Sequence, residues 1–383
     1  MCRLSRGVRA GSAIVLAVAL AGLSVGAARG AAEGSAVDRW WRTARARNWV
    51  TAFVDSSRPR AIPAPVDLVV VRQGASRQVV YRAGDGDVQI GDPVVSPDGT
   101  RLAFVKMEGD LDRMQAWLYA MDVDGRNMTR LAFLAHHRGP VVRGASIGRT
   151  RVAWSHDNRS LAMLETIQAD SARRLAPGDD RYPGNMLRRL DIATGTLTDL
   201  VVVERRGWGE GAWGSAITSQ AWAPDGRRLV YMNNDGRIIV LDTILRQEVD
   251  LGVGSEPTWS PDGRWIAVKE PRPRDSRRGT SDGDYFLVAA EPPHERVLLL
   301  DNPRTWPARW WRPDYATVGY FGPLTWFPDG RYLTVERHRG EDTDRYVLDR
   351  AMGEVGRMPA EARAGYSWGG APAISARAGR VGG

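Results

Sequence analysis

Runs of apolar, β-branched and aromatic residues recur along the chain, each entered through the same polar phrase. The phrase reads Ser96-Pro97-Asp98-Gly99, then Ala223-Pro224-Asp225-Gly226, Ser260-Pro261-Asp262-Gly263 and Phe327-Pro328-Asp329-Gly330, with a degenerate copy at Ser155-His156-Asp157-Asn158. Arg101–Val105 and Arg264–Val268 are two of the runs that follow it. Pro presets φ at the first corner of a turn, Asp bonds its own downstream backbone, and Gly supplies the positive φ that closes it. Asn158 stands where the degenerate copy lacks Gly, and Asn is the next most tolerant residue there. The pattern predicts a strand before each turn and a strand after it, paired as a hairpin. Trp154, Trp222, Trp259 and Trp326 precede four of the five copies, which predicts a large wedge between neighbouring sheets.

The spacing sets the size of the unit. Residues 97, 156, 224, 261 and 328 lie 59, 68, 37 and 67 residues apart. The shortest interval is that of a four-stranded propeller blade of about 40 residues, and each longer one falls short of two blades, so it reads as one blade with an insertion. In the third unit the strands are expected at about 218–223, 227–233, 237–243 and 246–251. A sixth unit is assembled from the chain ends. Tyr366 to Gly370, with Trp368 in the Trp position, and Ala373-Ile374 would supply two inner strands, and Val66–Arg72 and Gln78–Arg82 two outer ones. The expected fold is all-β: a six-bladed β-propeller of four-stranded blades, its ring closed by N- and C-terminal strands so that only short edges remain.

The Trp-Ser-Pro-Asp-Gly-Arg phrase of residues 259–264, with its Trp-Ile-Ala continuation, resembles the repeat of TolB-type β-propellers, and the resemblance spans about residues 66–376. It implies a periplasmic propeller that binds protein partners of the cell envelope. The α/β domain that can precede such a propeller does not fit before residue 66, so the partners of a protein that has it are not carried over. The motif is specific for the fold and says little about function.

The N-terminus bears on location. Arg3, Arg6 and Arg9 precede an uncharged stretch from Ala10 to Ala28 whose centre, Ala13–Leu23, reads as the apolar region of a secretory signal peptide over 1–30. The alternative is an uncleaved anchor across the same residues. With cleavage, no stable membrane span remains and the protein is periplasmic or secreted. Cys2 is the only cysteine and leaves with the signal, which excludes disulfides, thiol catalysis and cysteine metal sites. The formal charge of +8 falls to about +4 without the four Arg of residues 1–30. Opposite charges are interspersed and no dense basic run occurs, so nucleic acid is not an expected partner. Residues 31–65 read as a cap and linker. Trp40, Trp41, Ala44, Trp49, Val50, Phe53 and Val54 would form the apolar side of one or two short helices, packed on the propeller or lying at a membrane surface. Residues 377–383 are a tail.

Strand order sorts the loops by face. Turns from first to second strand and from third to fourth share one face, and there they are short, as at Asp124-Gly125, Thr194-Gly195 and Met352-Gly353. The expected insertions, at about 134–150, 166–186, 204–217, 270–284, 301–321 and 337–343, all fall on the other face. Long loops on a rigid scaffold are where binding residues concentrate. These loops hold the candidate binding residues His136, His137, Trp208, Trp213, Trp306, Arg309, Trp310 and Trp311. Trp and Arg are the types enriched at binding hot spots, and packing of these Trp onto the ring is the competing use. The expected partner is an envelope protein, a peptide or a cell-envelope glycan, with no cofactor, no metal and no catalytic residue. The rival is a propeller enzyme, a metal-assisted polysaccharide lyase or a hydrolase. Gly144-Ala-Ser146-Ile-Gly148 has the nucleophile-elbow pattern but sits in a loop between blades, where that motif needs a strand-to-helix turn.

Overall fold

The computed structural model describes residues 38–40, 42, 50–55, 67–72, 78–82, 84, 87–90, 93–110, 113–138, 152–166, 185–203, 217–218, 221–233, 235–271, 283–300, 320–327, 329–339 and 342–357. These form six antiparallel sheets. The first holds β1 (Val50–Asp55), β2 (Asp67–Arg72) and β3 (Gln78–Tyr81). The second holds β4 (Asp87–Ile90) and β5 (Val94–Val95), two pieces of one inner strand, then β6 (Arg101–Asp110), β7 (Arg113–Asp122) and β8 (Thr129–Arg138). The third is β9 (Val152–Trp154), β10 (Ser160–Thr166), β11 (Asn185–Asp191) and β12 (Leu197–Val203). The fourth is β13 (Arg228–Met232), β14 (Arg237–Asp242) and β15 (Glu248–Val253), its inner strand reduced to a Trp222–Leu229 bridge. The fifth is β16 (Ser255–Trp259), β17 (Trp265–Pro271), β18 (Gly283–Ala289) and β19 (Arg296–Leu300). The sixth is β20 (Tyr320–Trp326), β21 (Tyr332–Arg339), β22 (Asp342–Asp349) and β23 (Glu354–Arg357).

Each repeated phrase builds the hairpin it predicts. The residue after the Asp of the phrase has φ between 60° and 71° in all five copies, at Gly99, Asn158, Gly226, Gly263 and Gly330. Where the phrase begins with Ser, that hydroxyl donates to the Asp and accepts the backbone N–H that opens the second strand. The Ser260 Oγ to Asp262 Oδ1 distance is 2.5 Å, and Trp265 N lies 2.9 Å from Ser260 Oγ. A further bond repeats in the five sheets that carry the phrase. The carbonyls of Thr100, Arg159, Arg227, Arg264 and Arg331 accept from the backbone N–H of Val123, Ile192, Thr243, Ala290 and Arg350. This ties the turn between third and fourth strands to the turn between first and second, so both lie at one edge of each of these five sheets.

Successive sheets pack face to face through five apolar clusters. Ala52, Leu68 and Val70 meet Leu102 and Phe104, and Val94 and Val105 meet Val152 and Met163. Leu164 and Leu187 meet Trp222 and Tyr231, Val230 and Val240 meet Trp259 and Val268, and Tyr285 and Leu287 meet Trp326 and Val335. The four Trp are wedges at these junctions, each no more than 3% exposed. Three of their indoles donate to the preceding sheet's inner strand: Trp154 to Val94 O at 3.1 Å, Trp222 to Ala153 O at 3.1 Å, and Trp326 to Thr258 O at 3.2 Å. Trp259 departs from the pattern, and its buried indole N–H has no hydrogen-bond partner.

Three local expectations are corrected. Residues 38–40 and 42 are helical, but Val50–Asp55 is a strand, paired with β2 from Val50↔Arg72 to Asp55↔Asp67. A β-branched and aromatic run beside the open edge of β2 satisfies that edge's backbone groups, which outweighs the helical spacing of its apolar positions. There is also no insertion at 337–343, because β21 and β22 stay paired up to Arg339↔Asp342. Similarly, residues 134–138 continue β8, and Arg138 pairs with Arg113. The strands expected at 366–374 lie outside the described residues.

Candidate functional site

The turn edge is closed on itself. Its Asp carboxylates are occupied by the turns they belong to, as Asp225 is by the N–H groups of Arg227 and Arg228 and by the Arg228 guanidinium. The pKa of Asp225 lies below the usual range because these donors outweigh the effect of burial. Asp157 and Asp262 are lowered likewise by their Ser hydroxyls and turn N–H groups. These turns spend their carboxylates on their own backbone and on neighbouring guanidiniums. The opposite edge is where β6 leads to β7 and β8 leads on towards β9, and it carries the two polar groupings that sequence reasoning missed.

The first grouping lies between the first and second sheets. Lys106, one of only two lysines in the chain, is 8% exposed. Its Nζ is 2.8 Å from Asp87 Oδ1, 3.2 Å from Glu108 Oε1 and 2.8 Å from Tyr81 OH. It also lies over the Tyr81 and Tyr119 rings, at 5.1 and 5.3 Å from their centroids. Tyr81 donates to Asp87 Oδ2 at 2.5 Å, and Tyr119 donates to Glu108. Arg130 reaches Glu108 Oε2 and Tyr119 OH, both at 2.9 Å, and stacks on Trp117 at 4.3 Å. Burial opposes both charges, yet the hydrogen-bonded partners win. Lys106 is pushed up and Asp87 down, while burial raises the Tyr81 and Tyr119 phenols. Every one of these shifts moves the group's titration further from neutral pH, so the network holds its charges fixed. It is an ion-pair network of the second sheet that the Tyr81 hydroxyl joins from the first, and not a proton-exchanging pair. The available sequence signal was the rarity of lysine in a chain that uses Arg almost everywhere else.

The second grouping is at the start of the fifth sheet's inner strand. Glu256 has φ 53°, and the pairing of β16 with β17 shifts register between Ser255 and Thr258. A bulge with a left-handed non-glycine residue is a conformation that proteins retain where a side chain must be re-aimed. Thr258 is 2% exposed and its Oγ1 has no hydrogen-bond partner. Thr218 donates to Pro257 O at 2.6 Å. Tyr285, buried and directly opposite Lys269 in register, has its pKa raised by burial and then by the charge of Glu256.

The residues singled out from sequence fall as follows. His136 and His137 are in β8, opposite Gln115 and Met114, and their side chains lie outside the described residues. Trp208, Trp213, Trp306, Arg309, Trp310 and Trp311 also lie outside them. Among the described residues, no three His, Cys, Asp or Glu side chains come together as a metal ion needs. No helix among them is long and apolar enough to cross a membrane.

Set beside solved structures, the chain is similar to TolB from Acinetobacter baumannii, with a TM-score of 0.54 at 14% identity. That likeness covers 82% of this chain and 64% of the TolB chain, so this protein spans less than two thirds of that relative's length. A protein described as TolB from Agrobacterium tumefaciens follows at TM-score 0.47 and 15% identity, covering 81% of this chain and 88% of the other. An oligogalacturonate lyase in complex with manganese has TM-score 0.48 at 14% identity, covering 80% and 78% of the two chains. No protein-family model and no curated protein matches the sequence. The likeness to TolB shows the fold, a β-propeller.

Proposed function

We propose that this protein is an exported, non-catalytic propeller that binds an envelope protein, a peptide or a cell-envelope glycan through the face opposite its turns. Its six sheets are the six blades of a ring. Residues 1–30 are a cleaved signal peptide, 31–65 lead into the ring, 66–376 form it together with β1, and 377–383 are a tail. The observation that carries the reading is the repeated bond of the turn edge. In five sheets it joins the two tight turns, so every long connection leaves from the other edge. That edge receives the segments at 139–151, 167–184, 204–216, 272–282 and 301–319, which contain six of the eight candidate binding residues.

The strand order supports ring closure. The connection from β1 to β2 is long and that from β2 to β3 is short, as between second, third and fourth strands elsewhere. β1 therefore fills the second position, and one inner position remains for a strand from 366–374 in place of the two expected. The test is capture from a cell-envelope extract by the purified mature protein, with metal analysis of the same preparation. A single saturable ligand and no stoichiometric metal is the expected result. Stoichiometric, tightly held metal together with turnover of a captured glycan would replace this reading with an enzymatic one.

A further inference from the structure

The five apolar clusters join the sheets in chain order, and the junction that a ring requires between the sixth sheet and the first has none among the described residues. The N-terminal segment touches both sides of that junction. Arg39 is 4% exposed and Trp40 is 5% exposed, and both are seated on the sixth sheet. Arg39 Nε lies 2.9 Å from Asp349 Oδ2, and its Nη2 lies 2.6 Å from Glu354 Oε2. Trp40 packs edge-on against Phe327 of the Pro-Asp-Gly turn, centroids 5.9 Å apart at 77°. Within about ten residues Val50 opens β1 in the first sheet, a reach of at most about 36 Å for an extended chain.

The receptor for Arg39 is a modified copy of a repeated feature. An Asp at the end of the third strand caps the following turn in four sheets. Asp122 accepts from Asn127, Asp191 from Thr194 N–H and hydroxyl, and Asp242 from the N–H of Ile244 and Leu245 and from Arg227. All three of these residues are partly exposed. Asp349 takes the same role towards Ala351 N–H and Arg331, at the position equivalent to the Arg227–Asp242 pair, but its side chain is 0% exposed. What differs in the sixth sheet is that Arg39 lies over it. A carboxylate buried between two guanidiniums strongly favours keeping both in place, because losing one strands charge away from water.

We propose that Arg39 and Trp40, joined along the chain to β1, are a clasp that locks the sixth sheet to the first, with Asp349 and Glu354 as the catch for Arg39. This rests on the ring reading above. With Arg39 seated the first sheet is tied to the sixth, and removing the guanidinium removes that tie. The test is amide hydrogen exchange of the full mature chain and of its Arg39→Gln and Glu354→Gln variants, resolved by sheet. The clasp predicts that Arg39→Gln speeds exchange at least about tenfold in β1–β3 as well as in β20–β23, with β13–β15 unchanged. Faster exchange in β20–β23 alone would overturn it, since Arg39 would then only cover its own turn. If Arg39→Gln does not fold, Glu354→Gln decides. It removes the partly exposed arm, and a smaller rise shared by β1–β3 and β20–β23 supports the clasp, whereas an unchanged β1–β3 overturns it. Unprotected β1–β3 amides in the unmodified protein would instead mean that the ring reading itself has failed.

Discussion

Replacing the wedge tryptophans by Phe separates two terms that normally act together. Trp222 and Trp259 occupy equivalent positions and are 1% and 2% exposed. Each lies beneath an Arg of the preceding sheet: Arg189 is 5.9 Å from the Trp222 ring and Arg228 is 5.2 Å from the Trp259 ring. Trp→Phe therefore removes the same volume at both sites, at a cost of about 1–2 kcal/mol for lost contacts and the residual cavity. The cation–ring terms cancel to first order. The indole N–H does not cancel. Trp222 loses its bond to Ala153 O, worth about 1 kcal/mol net, whereas Trp259 sheds a buried donor with no partner, which relieves about 1–3 kcal/mol of desolvation. Trp222→Phe should thus be the more destabilising change by about 2–4 kcal/mol. Urea unfolding followed by far-UV circular dichroism measures this as a shift in midpoint at unchanged slope. A Trp259→Phe variant as unstable as Trp222→Phe, or more so, would refute the reasoning.

The turn chemistry is tested by two glycines. Gly226 has φ 68° and open space where a Cβ would stand, so Gly226→Ala should cost about 1–2 kcal/mol from backbone conformation alone. Gly125 has φ 90°, and a Cβ there would sit 2.5 Å from the Val80 carbonyl oxygen of the first sheet, so Gly125→Ala should cost about 1–3 kcal/mol more. Equal thermal midpoints for the two variants would contradict that contact. Asp242 supplies a pH prediction. Its Arg227 partner and the turn N–H groups lower its pKa to about 2, below the ordinary value near 3.9. A folded-state value below the unfolded one means that the stabilisation is present above pH ~4 and is lost as pH falls toward about 2. Asp242→Asn should flatten the acid limb of a stability–pH curve in that window and leave its shape near neutrality unchanged. An identical acid limb would count against the assignment.

The architecture was legible because it rests on local chemistry repeated five times. Pro, Asp and Gly fix each hairpin through their own backbone preferences, and Trp154, Trp222 and Trp326 each find a carbonyl at the same offset in the preceding sheet. The strand at Val50–Asp55 was not legible, since its apolar spacing suits a helix and only the open edge of β2 decides otherwise. The paired run to Arg339↔Asp342 was hidden because its charged residues look like loop. The Lys106 network and the Arg39–Asp349 catch join residues 19 and 310 positions apart, Asp87 with Lys106 and Arg39 with Asp349, and no local pattern announces such pairings. Of the candidate site, sequence indicated the face through loop length. It missed the polar strand ends there, because Glu256 draws its meaning from a bulge and Lys106 from a neighbouring strand and the Tyr81 hydroxyl of the next sheet.

The claim that one face binds and the other only folds is tested most directly by comparing captures from the same envelope extract. Three proteins are needed: the unmodified chain, a Trp310→Ala/Trp311→Ala variant, and an Ile244→Ser/Leu245→Ser variant. Ile244 and Leu245 sit on the turn edge and are 66% and 57% exposed, so they serve as the opposite-face control. The expected result is that the ligand is retained by the Ile244/Leu245 variant and weakened by about 2 kcal/mol or more in the Trp310/Trp311 variant, with the thermal midpoint of each close to the unmodified value. Capture unchanged by the Trp changes, or lost through the turn-edge changes while the protein stays folded, would contradict the assignment of the binding face.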